Sequence, residues 1–199
     1  MNSVNAASFH RLLVRIFGVL LIFCPLFFLQ TASAGADPQS GINAILDLNA
    51  GGAYYRGDGV QQDFNKARYY YQQAANLGNP EGQYALGEML YEGKGGPPDF
   101  LGAFNLFQQL AKNDSGAQYY LGLMYYRGDG VRQNFETARL WFQKAAAWPG
   151  NNATAKWYLG TMYLKGKGGP PDAAQGLALL KQAADQGNQA AIDALKNMP

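Results

Sequence analysis

A block of 35 to 38 residues recurs four times along this chain, and that period constrains the fold more than any other feature of the sequence. Each block contains a Gly-x-Gly motif, and the four motifs begin at Gly57, Gly93, Gly128 and Gly166. A Leu-Gly or small-residue pair precedes each motif, and a pair containing alanine closes each block. A period of 20 to 50 residues is typical of a solenoid, a propeller or an array of repeats.

Each block predicts two antiparallel helices joined by a glycine-containing loop. In the third block, Leu121 and Gly122 lie in the first helix, Gly128 ends it, and Asn134 caps the second. Large residues recur at helical spacing in the second helix. The sequence therefore predicts an all-α fold, an α/α solenoid of four helix-turn-helix repeats with a C-terminal capping helix.

The loops alternate between two types, which divides the chain into two related halves. Blocks one and three carry Tyr-Arg-Gly-Asp-Gly-Val, whereas blocks two and four carry Gly-Lys-Gly-Gly-Pro-Pro-Asp. This alternation indicates duplication of a two-repeat unit. The predicted boundaries are 47–80, 81–114, 115–152 and 153–187 for the repeats and 188–199 for the cap, which an array's exposed end requires.

Residues 1–34 have the layout of a secretory signal peptide. Arg11 and Arg15 form a positive region, residues 16–29 are apolar, and Ala32-Ser33-Ala34 supplies a cleavage site of small residues. The alternative is an uncleaved anchor, but the apolar run is shorter than the roughly 20 residues that a membrane-spanning helix needs. We therefore expect an exported bacterial protein, periplasmic or secreted, with no stable membrane anchor after cleavage.

The segment after the cleavage site is predicted to enter the solenoid directly. Residues 35–41 are predicted to be a disordered tail, and 42–199 the solenoid. Ser40 is a candidate cap for a first helix. The apolar face of that helix has helical spacing and consists of Ile42, Ile45, Leu46 and Leu48.

Composition argues against an enzyme. Cleavage would remove Cys24 and His10, the only cysteine and histidine, and with them the usual thiol nucleophile, general base and zinc ligands. Asp58 and Asp129 lie two repeats apart, too far for the roughly 5 to 9.5 Å of a glycosidase carboxylate pair. A Gly-Asp-Gly loop offers one carboxylate where calcium needs six or more oxygens. We predict no catalytic residue, metal or cofactor, and keep a carboxylate-dependent hydrolase as a further alternative.

Net charge argues against a nucleic-acid partner. The full chain has 16 Lys and Arg residues, and loss of Arg11 and Arg15 leaves 14 against 14 Asp and Glu residues. A neutral chain without a clustered basic face does not indicate nucleic-acid binding.

Small residues inside the first helices predict close helix packing. Gly87, Gly122 and Gly160 fall in helix interiors, where glycine costs roughly 1 kcal/mol relative to alanine. A cost incurred at every repeat indicates that a partner helix approaches each glycine and that its large side chains fill the space.

The repeats resemble the Sel-one-like repeat (SLR) family, which is related to the tetratricopeptide repeats. In block three the matching residues are Ala117, Leu121-Gly122, Tyr125, Gly128, Gly130-Val131, Ala138, Trp141-Phe142 and Lys144-Ala145-Ala146. Block four departs from the pattern, with Gly176 for alanine and Leu179-Leu180 for the aromatic pair. The resemblance implies a right-handed superhelix whose first helices line a concave surface, and a role in assembling protein complexes.

One face of the first helices carries the candidate binding residues. The positions one before, two after and five after the Leu of Leu-Gly share this face, and in blocks three and four most are large and apolar or aromatic. One interpretation is that they pack between repeats, and the other is an exposed groove. The predicted groove residues are Tyr55, Glu88, Tyr91, Glu92, Tyr120, Leu123, Tyr126, Arg127, Tyr158, Thr161, Leu164 and Lys165.

These observations predict a non-enzymatic interaction module. The expected partner is a protein or peptide held in the concave groove, with a component of the cell envelope as one candidate. Because tyrosine also stacks on sugar rings, binding of an envelope glycan or peptidoglycan fragment is the alternative function.

Overall fold

An Asp or Asn cap precedes each of the last eight helices that the structure describes. The computed structural model describes residues 38–147 and 149–198, and the predicted signal peptide lies outside them. Within that part of the chain there are nine helices and no strands. They are α1 (Pro38–Arg56), α2 (Phe64–Asn76), α3 (Pro80–Glu92), α4 (Phe100–Leu110), α5 (Ser115–Arg127), α6 (Phe135–Ala146), α7 (Ala153–Lys165), α8 (Ala173–Asp185) and α9 (Gln189–Lys196).

The helices pair as the period predicts. Helices α1, α3, α5 and α7 are the first helices of the four repeats, and α2, α4, α6 and α8 are the second helices. Consecutive helices pack against each other from α2 through α9. The prediction of an α/α solenoid is confirmed. Helix α9 packs on α8, where Ala191 shares a small apolar cluster with Leu180 and Ala183.

The caps predicted for the second helices form. Each second helix begins after an Asp or Asn whose side chain accepts a hydrogen bond from the backbone N–H three residues on, as Asn134 does from Thr137 at 3.0 Å. Gly128 ends α5 with φ of 84°, a left-handed conformation that a residue with a Cβ adopts only at a cost.

The glycines inside the first helices lie where the second helices come closest. Each faces the side chain twenty positions further along the chain. A Cβ added at Gly51 would lie 2.6 Å from the Tyr71 ring, one at Gly87 2.9 Å from Phe107, and one at Gly122 2.7 Å from Phe142. The expectation of close packing is confirmed, because an aromatic ring occupies the space that a methyl group would need.

In repeat four the same spacing of twenty positions holds, but the residue that faces the glycine is not aromatic. Leu180 occupies the position of the aromatic residue, and a Cβ on Gly160 would meet the Gly176 carbonyl oxygen at 2.9 Å. A Cβ on Gly176 would in turn meet Leu164 at 2.8 Å. The two glycines let the backbones of α7 and α8 approach directly, which explains why Gly176 replaces the alanine of the other repeats.

The N-terminal segment differs from the prediction. Helix α1 begins at Pro38, so residues 38–41 are helical rather than a disordered tail, and Ser40 is inside the helix rather than its cap. Proline suits the first turn because its missing N–H needs no partner there. The predicted apolar face is largely open to solvent: Ile42, Ile45 and Leu46 are 52%, 54% and 60% exposed.

Candidate functional site: the first-helix face

The twelve predicted groove residues all lie on α1, α3, α5 and α7, and we call the surface they define the first-helix face. Tyrosine rings connect neighbouring first helices across this face. Tyr120 of α5 contacts Tyr84 and Tyr91 of α3, with ring centroids 6.1 and 5.5 Å apart. Tyr126 of α5 contacts Tyr158 of α7 at 5.5 Å. The face is therefore a continuous surface over repeats two to four.

Three of the predicted groove residues belong to the core. Leu123 is 3% exposed, and Tyr91 and Tyr120 are each 9% exposed. The expectation of an open apolar groove is wrong at these positions, and the packing interpretation holds for them. The hydrophobic gain from covering large apolar groups explains their burial between adjacent repeats.

Ring stacking between repeats accounts for much of this burial. Tyr120 lies parallel to Phe107 with centroids 4.5 Å apart, and Tyr158 lies parallel to Phe142 with centroids 4.9 Å apart. Each phenylalanine is thus held between a glycine of its own repeat and a tyrosine of the next. Because one face of Tyr120 and of Tyr158 is covered, these rings have less open area for stacking on a sugar.

Two predicted residues in repeat four, Thr161 and Leu164, also make their contacts within the protein. The Thr161 hydroxyl donates to the Tyr158 carbonyl oxygen at 2.7 Å. Leu164 is partly buried beside the small cluster around Leu180, next to Gly176. Neither residue forms part of an open apolar surface.

The tyrosines five positions after the Leu of Leu-Gly bond to the loop of the following repeat. The Tyr91 hydroxyl donates to Asp129 Oδ2 at 2.6 Å. The Tyr55 hydroxyl accepts from Lys94 Nζ at 2.5 Å, and the Tyr126 hydroxyl accepts from Lys167 Nζ at 2.9 Å. Each junction between repeats therefore has a hydrogen bond between a tyrosine hydroxyl and a side chain of the next loop.

In repeats two to four, the second glycine of the Gly-x-Gly motif lets the loop approach the preceding repeat closely. Gly95 abuts the Phe64 carbonyl, Gly168 abuts the Phe135 carbonyl, and a Cβ on Gly130 would lie 2.6 Å from Phe100 Cβ. Each contact is with the first residue of the preceding repeat's second helix. The residue before the glycine is thereby held beside the preceding tyrosine.

Glu88 is a partly buried carboxylate between two tyrosines. It accepts a hydrogen bond from the Tyr120 hydroxyl at 3.0 Å and lies beside Tyr84. Burial raises the pKa of Glu88, and burial beside Glu88 raises the pKa of Tyr84 and Tyr120. Glu88 carries charge at neutral pH only at an energetic cost, which its hydrogen bond partly offsets.

Three of the predicted residues form the exposed edge of the face. Glu92, Arg127 and Lys165 are exposed at the ends of α3, α5 and α7. Glu92 pairs with Lys94 at 2.7 Å. Tyr55 is partly buried, with its ring against Phe64 at 5.4 Å.

The carboxylates considered for catalysis have other partners. Asp58 Oδ2 pairs with Arg56 at 2.6 Å, and Asp129 accepts from Tyr91. Over residues 38–147 and 149–198, no group of three or more His, Cys, Asp or Glu side chains is placed to hold a metal ion. No helix in that described part is long and apolar enough to cross a membrane.

Sequence reasoning missed the two lysines that complete the face. Lys94 and Lys167 occupy the same position in the Gly-Lys-Gly-Gly loops, and each lies over the ring of a preceding tyrosine, at 4.9 Å from Tyr55 and 4.7 Å from Tyr126. Their repetition in both long loops was the available signal. It was overlooked because loop residues were not expected to reach the preceding first helix.

A family model matches most of the chain. The Sel1 repeat model matches residues 48–79, 80–115, 115–147 and 153–188. The chain is similar to the Sel1-repeat-containing protein YjcO of Escherichia coli (strain K12), with 31% identity over 93 residues, which are 44% of this chain and 41% of YjcO. The chain therefore aligns with less than half the length of this relative.

Solved structures show the same architecture. A Sel1 repeat protein from Oxalobacter formigenes has 33% identity and a TM-score of 0.63, over 78% of this chain and 45% of that one. The protective antigen c5321 of uropathogenic Escherichia coli, which displays an SLR fold, has 28% identity and a TM-score of 0.52, over 74% of this chain and 39% of its own.

The same helical repeat fold is indicated by the four family-model matches, by the pairing of the helices and by the similar solved structures. Sel1 repeat proteins are generally protein-interaction modules and typically non-catalytic scaffolds. This chain belongs to the Sel1 repeat family.

Proposed function

We propose that the chain is a non-enzymatic interaction module that binds an extended peptide segment of a protein partner along its first-helix face. The observation that carries this proposal is the row of contacting tyrosines from α3 to α7, bordered by Glu92, Arg127 and Lys165 at the exposed helix ends. Tyrosine and arginine are enriched where proteins bind one another.

The face differs from the apolar groove that the sequence predicted. Its apolar rings are largely packed, and the groups it presents are tyrosine edges, hydroxyls and charged side chains. Polar groups held in fixed positions favour a partner that supplies hydrogen bonds and charges, as an extended peptide does. The covered faces of Tyr120 and Tyr158 favour a peptide over a glycan, which is the alternative function.

The location of this interaction follows from the N-terminal sequence. Residues 1–34 have the layout of a signal peptide, so we propose that the chain meets its partner in the periplasm or outside the cell.

Affinity capture from a cell-envelope fraction tests the proposal. The purified chain is compared with Arg127→Glu/Lys165→Glu, which reverses two exposed charges on the face, and with Lys112→Glu/Lys181→Glu, which makes the same net change at exposed positions away from it. All three should show the same circular dichroism. Substitutions at Tyr120 or Leu123 are avoided because those residues are buried.

We expect a protein that is captured by the chain and by the control pair and lost with the face pair. Equal capture by all three would move the contact to the second helices or the loops. Capture of envelope glycan without protein would favour the alternative function.

A further inference from the structure

The duplication of the two-repeat unit allows two equivalent junctions to be compared within one molecule. We call the junction between repeats one and two the first seam, and that between repeats three and four the third seam. The first seam comprises Tyr55, Arg56, Asp58, Glu92 and Lys94, and the equivalent residues of the third seam are Tyr126, Arg127, Asp129, Lys165 and Lys167.

In the first seam, both cations are neutralised by carboxylates. Arg56 Nε lies 2.6 Å from Asp58 Oδ2, and Lys94 Nζ lies 2.7 Å from Glu92 Oε2. The Lys94 ammonium also donates to the Tyr55 hydroxyl. The charges of this seam are thus satisfied within the protein.

In the third seam, the same cations have no carboxylate partner. Asp129 accepts a hydrogen bond from the Tyr91 hydroxyl, and Arg127 Nη1 donates to the same hydroxyl at 3.1 Å. Where the first seam has Glu92, the third seam has Lys165. Among the residues that the structure describes, neither Arg127, Lys165 nor Lys167 forms an ion pair.

Two of these cations, Arg127 and Lys167, contact tyrosine side chains. Tyr126 and Tyr158 are in contact at 5.5 Å. Lys167 donates to the Tyr126 hydroxyl and lies over its ring, whereas Arg127 donates to the Tyr91 hydroxyl and lies near Tyr158. Neutral phenol oxygens orient the guanidinium and the ammonium but leave their charges unneutralised.

We propose that the third seam is a carboxylate-binding site formed by Arg127 and Lys167, with Lys165 adding to the local positive potential. The carboxylate is an acidic side chain or the C-terminal carboxylate of the bound peptide, and in this respect the inference rests on the proposed function. A guanidinium and an ammonium fixed by rings form charge-assisted hydrogen bonds with little loss of side-chain entropy.

Fluorescence anisotropy with defined peptides tests the site without knowledge of the natural partner. The probes carry an uncharged dye and are tetraglutamate amide, tetraglutamine amide, and a neutral alanine-serine tetrapeptide prepared with a free and with an amidated C-terminus. The first pair reports on side-chain carboxylates and the second on the terminal carboxylate. We expect the purified chain to bind one or both carboxylate-bearing probes at least about tenfold more tightly than the matched neutral probe.

Two double variants provide the site test and its control. Arg127→Gln/Lys167→Gln keeps hydrogen-bond donors for the tyrosines but removes both charges, and should weaken carboxylate binding about tenfold or more. Lys112→Gln/Lys181→Gln makes the same charge change elsewhere and should stay within about twofold, as expected of exposed charges distant from the site. Arg127→Lys should restore part of the binding lost in Arg127→Gln.

Three results would overturn the inference: no preference for carboxylate probes, no effect of the site pair, or equal losses from the site and control pairs. Its failure is distinguishable from failure of the proposed function. If probe binding does not depend on Arg127 and Lys167 while envelope capture still depends on the first-helix face, the partner binds that face through other groups. If the probes bind at the seam but capture does not depend on the face, the carboxylate site stands and the proposed function fails.

Discussion

The two halves of the solenoid pack their helices in the same register, but they differ in whether the cations at their seams have carboxylate partners. In both halves a glycine faces a large side chain twenty positions on, and a tyrosine hydroxyl bonds the next loop. The first half pairs its seam cations with Asp58 and Glu92, whereas in the second half Asp129 is engaged by Tyr91 and Lys165 replaces glutamate. The shared contacts maintain the fold. Binding of a carboxylate is expected at the third seam, where the cations have no carboxylate partner.

Removing the ring at the centre of repeat three should have the largest effect. Phe142 is fully buried between Gly122 and Tyr158, so Phe142→Ala should lower the free energy of unfolding by about 3–5 kcal/mol. Leu180→Ala, at the equivalent position of repeat four, removes a smaller side chain from the terminal cluster and should cost less. Urea unfolding followed by circular dichroism measures both, and an equal or larger loss for Leu180→Ala would contradict the comparison.

Filling the helix contact should have the next largest effect. Gly122→Ala would place a methyl group 2.7 Å from the Phe142 ring, and we expect a loss of about 1–3 kcal/mol despite alanine's better helix propensity. Gly41→Ala is the control, because nothing lies within 4 Å of a Cβ there, and it should stabilise the protein by up to about 1 kcal/mol. Stabilisation by both substitutions would show that helix propensity, and not contact with Phe142, decides the outcome at Gly122.

Exchanging the charges should interconvert the two seams. Glu92→Lys removes the partner of Lys94 and should give the first seam affinity for tetraglutamate amide, whereas Lys165→Glu supplies Lys167 with a carboxylate and should weaken binding about tenfold. Anisotropy of single and double variants measures the exchange. If Lys165→Glu left binding unchanged, the unneutralised charge would not explain the difference between the seams.

The smallest expected effect is the pH dependence contributed by Glu88. Its pKa is raised in the folded state by burial, so the folded protein holds this proton more tightly than the unfolded chain does. The Glu88 contribution to stability is therefore lost as pH rises from the ordinary glutamate pKa of 4.5 through the raised pKa of the folded state. The melting temperature of Glu88→Gln should therefore rise relative to that of the original chain as the pH is raised from about 4 to 7.

Glu81→Gln, at an exposed position in the first turn of the same helix, is the control and should leave the pH profile unchanged. Parallel profiles for the original chain and Glu88→Gln would show that burial of Glu88 does not affect the pH dependence of folding.

The sequence predicted the architecture because its signals are local. Caps such as Asn134, turns such as Gly128 and the glycines within first helices each have one physical explanation, and the structure agrees with all of them. The N-terminal end was harder to predict. The spacing of Ile42, Ile45 and Leu46 indicates a buried face, but these side chains are exposed, and helical periodicity alone does not reveal whether a partner helix is present.

The site was predicted only in outline for a related reason. Helical spacing placed Tyr91, Tyr120 and Leu123 on one face but did not reveal that the next repeat covers them. The hydrogen bonds between tyrosines and the loops of the following repeats join residues 38 to 41 positions apart, as in Tyr91 with Asp129 and Tyr126 with Lys167. Such pairs become visible only once the repeats are stacked.

A photocrosslinking scan tests the central claim that the first-helix face is the contact surface. A photoreactive amino acid is placed in turn at Glu92, Arg127 and Lys165 on that face, and at Leu101 and Leu140, which are exposed on second helices. We expect crosslinks to one partner protein from the first-helix positions, strongest around Lys165, and none from Leu101 or Leu140. Crosslinks to that partner from the second-helix positions alone would contradict the claim.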